Sequence, residues 1–156
     1  MATFVIPYRV NGKSRLGDEE LARAMLADVQ DAVGEAIVVD TPGGQGPALA
    51  AALSRLAGPV TIVNSDLPCA TADELAQLSA AAPALVAADD GTTNALALRD
   101  ARDFEPLYGN GSAARFESRL GAKRLYLPGL RDDIDTWADL DRVRPRLGKH
   151  TRAYLG

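Results

Sequence analysis

Short apolar runs alternate along the chain with longer stretches in which apolar residues recur every three or four positions. The run from Thr3 to Ile6 stops at Pro7, and the run from Ala36 to Val39 stops at Asp40 before Thr-Pro-Gly-Gly, so both predict buried strands. Between them Asp18 is placed to cap a helix whose inner face carries Leu21, Ala24, Met25, Val29, Ala32 and Val33, with Gly34 as its stop. The pattern repeats as a helix from about Pro47 to Ala57, a strand from Val60 to Asn64, a helix from about Ala72 to Ala82 and a strand from Leu85 to Ala88. After Ala88 the regularity weakens. There the letters predict a strand over Asn94 to Leu98, a helix over Ser112 to Leu120, a strand over Arg124 to Leu127 and a closing helix over Thr136 to Val143. Alternating elements predict an α/β fold with a mostly parallel sheet, helices on both faces and an added antiparallel strand in the second half. The expected organisation is one domain over residues 1–147 and a loosely attached C-terminal tail over 148–156.

Composition narrows the function classes. A chain of 156 residues that is 47% hydrophobic can bury one sizeable core. Seventeen Lys and Arg against 21 Asp and Glu give a net charge of −4, so no global basic field exists to collect nucleic acid, and a phosphate-rich ligand must be met locally. No apolar run is long enough for a signal peptide or a membrane span, and the single Cys69 cannot form an internal disulfide; a cytoplasmic location is expected. Cys69 follows Pro68 and reads as a small buried filler. His150, the one histidine, reads as a surface residue.

Candidate chemistry sits where predicted strands end. The first loop, from Pro7 to Leu16, offers Gly12 as a flexible turn and Lys13 and Arg15 as cations for a polyphosphate, although a solvated basic turn has the same letters. Gly43-Gly44-Gln45-Gly46-Pro47 opens the second helix. Backbone at Gly46 can approach a base or ribose there and Gln45 can meet a base edge, although an ordinary strand-to-helix turn with Pro at the first helical position is the simpler reading of the stretch. Asp66 closes a central hydrophobic strand, a place suited to a hard cation such as Mg²⁺ but also to a turn. Asp133 and Asp135 alternate about Ile134 and share a side if that segment is extended, whereas a plain cap on the last helix is the other reading of Asp135 or Thr136. Ser112 begins a helix whose first N–H groups suit an anion, or is simply its N-cap.

Taken in order, Lys13-Ser14-Arg15-Leu16, Ser65-Asp66-Leu67-Pro68, Gly91-Thr92-Thr93-Asn94-Ala95-Leu96, Tyr108-Gly109-Asn110-Gly111-Ser112-Ala113-Ala114-Arg115, Pro128-Gly129-Leu130 and Asp133-Ile134-Asp135-Thr136 carry a resemblance. The chain resembles the phosphoenolpyruvate or 2-phospho-L-lactate guanylyltransferase family of coenzyme F420 biosynthesis over about Val5 to Val143. That resemblance implies a Rossmann-like nucleotidyltransferase fold, GTP and a small phosphorylated carboxylic acid as substrates, Mg²⁺ dependence and release of pyrophosphate. It places the acceptor on Thr93, Gly109 and Ser112 and the metal on Asp66 and Asp133 with Asp135 adjacent; the nucleotide is expected, from the residue types in the two loops, on Gly12, Lys13, Arg15, Gln45 and Gly46. Lys13, Arg15 and Asp66 are the expected catalytic groups. The implied partners include no nucleic acid and no membrane, with a homodimer as a possible assembly. Two positions depart from the family pattern: Phe116 stands where members often carry His, and Gly46-Pro47-Ala48-Leu49-Ala50 where they often carry Gly-Leu-Asn-x-Ala. The alternatives are a molybdenum-cofactor-type or sugar-phosphate nucleotidyltransferase of the same fold, or a nucleotide-binding regulatory subunit. A regulatory subunit is expected to lack one of Lys13, Arg15, Asp66 or Asp133, and all four are present.

Overall fold

In the computed structural model, which describes residues 1–9 and 16–156, six strands form one sheet in the order β2-β1-β3-β5-β4-β6. β1 (Thr3–Tyr8) lies parallel to both its neighbours, β2 (Ala36–Asp40) and β3 (Val60–Val63), and β4 (Ala84–Ala87) lies parallel to β6 (Lys123–Arg124). β5 (Thr93–Leu98) is inserted between β3 and β4 and runs antiparallel to both. The expected added strand is therefore central. All six of its residues are buried, which explains why its pattern is hard to read: a strand covered on both faces loses the alternation that marks a half-exposed one.

Alternation along the strands sorts side chains into two apolar layers. Val5, Ile62, Leu85, Leu96 and Leu98 pack on one face with α2 (Gln45–Leu53) and α4 (Ser112–Leu120). Ile6, Val63, Ala84 and Val86 pack on the other with α1 (Glu19–Val33), α3 (Ala72–Ala80) and α5 (Pro128–Arg131). A smaller cluster joins Leu21 and Met25 of α1 to Ile134 and to Leu140 and Val143 of α6 (Trp137–Val143). Among the described residues no helix is long and apolar enough to cross a membrane.

Local chemistry fixes most helix ends. The Asp18 side chain accepts the N–H of Leu21 at the start of α1, and Gly34, with φ 77°, closes it. α2 begins two residues before Pro47, because Gly44 turns the chain at φ 105° and a proline in the first turn removes an N–H that has no partner within the helix.

The segment from Gly148, expected as a tail, forms α7 (Lys149–Leu155) against α1. Asp28, buried on the inner face of α1, accepts the N–H groups of His150 and Thr151, each at 2.9 Å, and so caps α7 from a neighbouring helix. Gly148 lies so close that a Cβ there would overlap the Asp28 carboxylate.

Candidate active site

β3 ends at Val63, and the chain continues through Asn64 and Ser65 to Asp66 at the carboxyl edge of the sheet. Residues 132–135 follow α5 to the same edge. The N–H of Ile134 donates to the carbonyl of Asp66 at 3.1 Å, while its side chain is buried among Leu21, Met25 and Leu140. With Ile134 anchored inward, Asp133 and Asp135 join Asp66. Their carboxylates each offer an oxygen within 4.8 Å of the others. The N-cap of α6 is Thr136 rather than Asp135, in a capping box with Asp139, whose Oδ2 accepts the N–H groups of Asp135 and Thr136. Asp132 is buried and ion-paired with Arg146. Burial pushes the Asp133 carboxyl up from its ordinary range, with the charges of Asp135 and Asp90 adding to it and a hydrogen bond from Asn94 opposing it. Three carboxylates at this separation repel unless a cation stands among them, and an all-oxygen anionic donor set fits a hard divalent ion.

Beside the acids opens a cleft of about 240 Å³ at the ends of β1 to β3, lined by Tyr8, Arg9, Thr41, Gln45, Asn64 and Asp66 among others. Gln45 faces it but is held by a protein partner: its Nε2 donates to Asn64 Oδ1 at 2.9 Å. Gly46 is buried, and its nearest neighbour is Pro106, whose Cβ would lie 3.2 Å from a Cβ at this position. Gly12, Lys13 and Arg15 lie outside the described residues.

Thr93, Gly109 and Ser112 also come together. The Thr93 and Ser112 hydroxyls hydrogen-bond each other at 2.8 Å, both buried, and the Ser112 N–H donates to the Gly109 carbonyl at 3.0 Å. The first N–H groups of α4, expected to face an anion, are partly committed, since that of Ala113 donates to Gly91. Gly109 has φ 109°, which excludes an ordinary side chain. Arg115 steadies this turn by donating to the carbonyls of Leu107, Tyr108 and Asn110.

No family model matches the chain. It is 36% identical to a phosphoenolpyruvate guanylyltransferase of Nocardia farcinica over 85% of this chain and 66% of that one. A protein of the same name from Sphaerobacter thermophilus is 43% identical over 59% of this chain and 49% of its own length, and one from Streptomyces coelicolor is 38% identical over 70% and 58%. The chain belongs to the phosphoenolpyruvate guanylyltransferase family. Its matches span from about half to about two thirds of these relatives' own lengths.

Two solved structures share the fold. One is a candidate nucleotide-diphospho-sugar transferase of Desulfovibrio desulfuricans G20, with a TM-score of 0.62, 15% identity and 99% of each chain covered. The other is a Mycobacterium sp. strain JC1 homologue of Mycobacterium tuberculosis rv0371c, with a TM-score of 0.58, 20% identity and 97% and 98% covered. At the first departure from the guanylyltransferase family pattern, Phe116 is fully buried and packs edge-on against Tyr108 at 5.3 Å, so it is core rather than site.

Two polar residues at the site escaped sequence reasoning. Asn64 donates to the Thr93 carbonyl at 3.1 Å and links Gln45 to the Thr93–Ser112 pair. Asn94 is buried and bonded to the acidic segment. Their signal was a polar amide at the end of an otherwise apolar strand. Cys69 is buried as expected, and burial pushes its thiol up to about 11. Its alkylation by iodoacetamide at pH 8 is expected to run roughly a hundredfold slower in the folded protein than in the unfolded chain, because the thiolate is the nucleophile. Equal rates in the two states would contradict that shielding.

Proposed function

We propose that this chain is a phosphoenolpyruvate guanylyltransferase that moves GMP from GTP to the phosphate of phosphoenolpyruvate, or of 2-phospho-L-lactate, releasing pyrophosphate as a step of coenzyme F420 biosynthesis in the cytoplasm. The observation that carries this reading is the convergence of Asp66, Asp133 and Asp135 beside a cleft at the carboxyl edge of the sheet, in a chain of this family.

An acceptor phosphate oxygen attacks the α-phosphorus in line and pyrophosphate leaves, so the protein needs no nucleophile of its own. A phosphate ionised at neutral pH also needs no general base, and His150 is distant from this chemistry, bonded to Asp31 of α1. Bound Mg²⁺, held by Asp66, Asp133 and Asp135, supplies neutralisation of the phosphate oxygens. Lys13 and Arg15 steady the leaving pyrophosphate, Gly12, Gln45 and Gly46 border the nucleotide, and Thr93, Gly109 and Ser112 orient the acceptor.

The test is incubation with GTP, Mg²⁺ and, separately, phosphoenolpyruvate, 2-phospholactate or 3-phosphoglycerate, followed by pyrophosphate assay and mass analysis of the product. A guanylylated acid with equimolar pyrophosphate is expected from phosphoenolpyruvate or 2-phospholactate. GTP binding with no pyrophosphate from any acid would instead mark a nucleotide-binding regulator. In the active protein Ser112→Ala is expected to raise KM for the acid about tenfold, the cost of roughly 1.4 kcal/mol of lost hydrogen bonding, with KM for GTP within about twofold. A rise confined to the GTP KM would move this residue to the nucleotide.

A further inference from the structure

The pairing of β4 with β5 slips by one residue: Val86 faces Ala95, but the next residue, Ala87, faces Thr93. Asn94 is thus the extra residue of a β-bulge. A bulge turns two successive side chains toward the same face and reverses the alternation beyond them. Ala95 packs with the layer beneath α1, α3 and α5, and Asn94 joins it on that side, reaching α5. Thr93 is turned to the opposite face, where it meets Ser112 of α4. Regular alternation from Leu96 and Ala95 would send Asn94 toward α4 and Thr93 toward α5 instead.

Once re-aimed, the Asn94 Nδ2 shares its two hydrogens among three acceptors. It donates to the carbonyls of Leu130 at 3.0 Å and Arg131 at 2.9 Å, and to Asp133 Oδ1 at 3.2 Å. The two carbonyls belong to the last turn of α5, where helix geometry supplies no i+4 donor; that of Arg131 also receives the Asp133 N–H at 3.0 Å. The third acceptor is one of the clustered carboxylates. One buried side chain therefore fixes both where the segment leaving α5 starts and how the Asp133 carboxylate is turned toward Asp66.

The geometry points to Asn94 as a positioning residue for the divalent cation, acting through Asp133. This rests on the reading of the three acids as a metal site. The bulge then has a clear role, since one inserted residue sends Thr93 to the acceptor side and Asn94 to the metal side of the same strand end.

The test is direct binding of Mn²⁺ to the full chain without nucleotide, followed by electron paramagnetic resonance, in Asn94→Ala, Asp133→Asn and the double variant. Asn94→Ala is expected to weaken Mn²⁺ about tenfold, and the double variant to bind no more weakly than Asp133→Asn, because the amide acts through that carboxylate. Unchanged affinity in Asn94→Ala, or losses that multiply in the double variant, would overturn the proposal. Asn94→Ser, whose hydroxyl is too short to reach Asp133, replaces Asn94→Ala if the latter melts early; failure of both to fold makes Asn94 a folding residue and also overturns it. Asp66→Asn is the control. If it too leaves Mn²⁺ binding unchanged, the metal site itself is refuted, whereas loss in Asp66→Asn alone refutes only the role of Asn94.

Discussion

Asp66→Asn is expected to lower kcat by about three orders of magnitude or more, roughly 4 kcal/mol of transition-state stabilisation, while the metal-free protein keeps its melting temperature within a few degrees. The substitution keeps the shape of the side chain and removes one of three mutually repelling charges whose oxygens lie within 4.8 Å of one another. Folding loses little, because the backbone carbonyl of Asp66, which receives the Ile134 N–H, is untouched. In the proposed reaction turnover loses most, because triphosphate, acceptor phosphate and acids carry like charge and would converge only around a cation. Steady-state kinetics across Mg²⁺ concentrations, paired with thermal melts, checks both halves. Activity within tenfold of the parent at saturating Mg²⁺ would remove Asp66 from the proposed metal site.

Gly129→Ala is expected to destabilise the fold by about 2–3 kcal/mol, a fall in melting temperature of roughly 4–12 °C for a chain of this size. A Cβ at Gly129 would overlap both the Glu74 carboxylate and the backbone carbonyl of Cys69. The carboxylate can swing away, although it would forfeit its bond from the Gly129 N–H at 2.9 Å. The Cys69 carbonyl belongs to the backbone and has nowhere to go without moving the turn before α3. The better helix propensity of alanine, worth up to ~1 kcal/mol, opposes this and loses. Because α5 leads directly into residues 132–135, Mg²⁺ dependence should worsen along with stability. A melt within 2 °C of the parent would show that the contact relaxes freely.

Features written in neighbouring residues were legible in the sequence. Asp18 and Gly34 bound α1 by local hydrogen bonding and a positive φ, and α4 occupies the stretch expected of it, Ser112 to Leu120. The convergence of Asp66 with Asp133 and Asp135 was expected from the family resemblance; the strand end and the alternating triplet alone left a turn and a helix cap open. What stayed hidden depends on partners remote in sequence. Asp28 looks like a polar interruption of an apolar helix face until α7 arrives to use its carboxylate. The last residues, without a strong apolar stripe, were expected to be loose and are instead docked on α1. Asn94 is one letter in a strand, and its orientation follows from a register slip that only the paired strand reveals.

The placement of β5 has a consequence for the chain as it is synthesised. β2, β1 and β3 form one ladder and β4 and β6 another, and in the sheet order β5 alone joins the two. Until residues 93–98 have emerged, β3 and β4 each present an unpaired row of backbone donors and acceptors on apolar strands, the kind of edge that recruits other chains. The nascent protein therefore passes through a window of exposure that closes only when β5 slots between them, and a fragment cut just before that strand would be prone to self-association rather than a smaller folded unit.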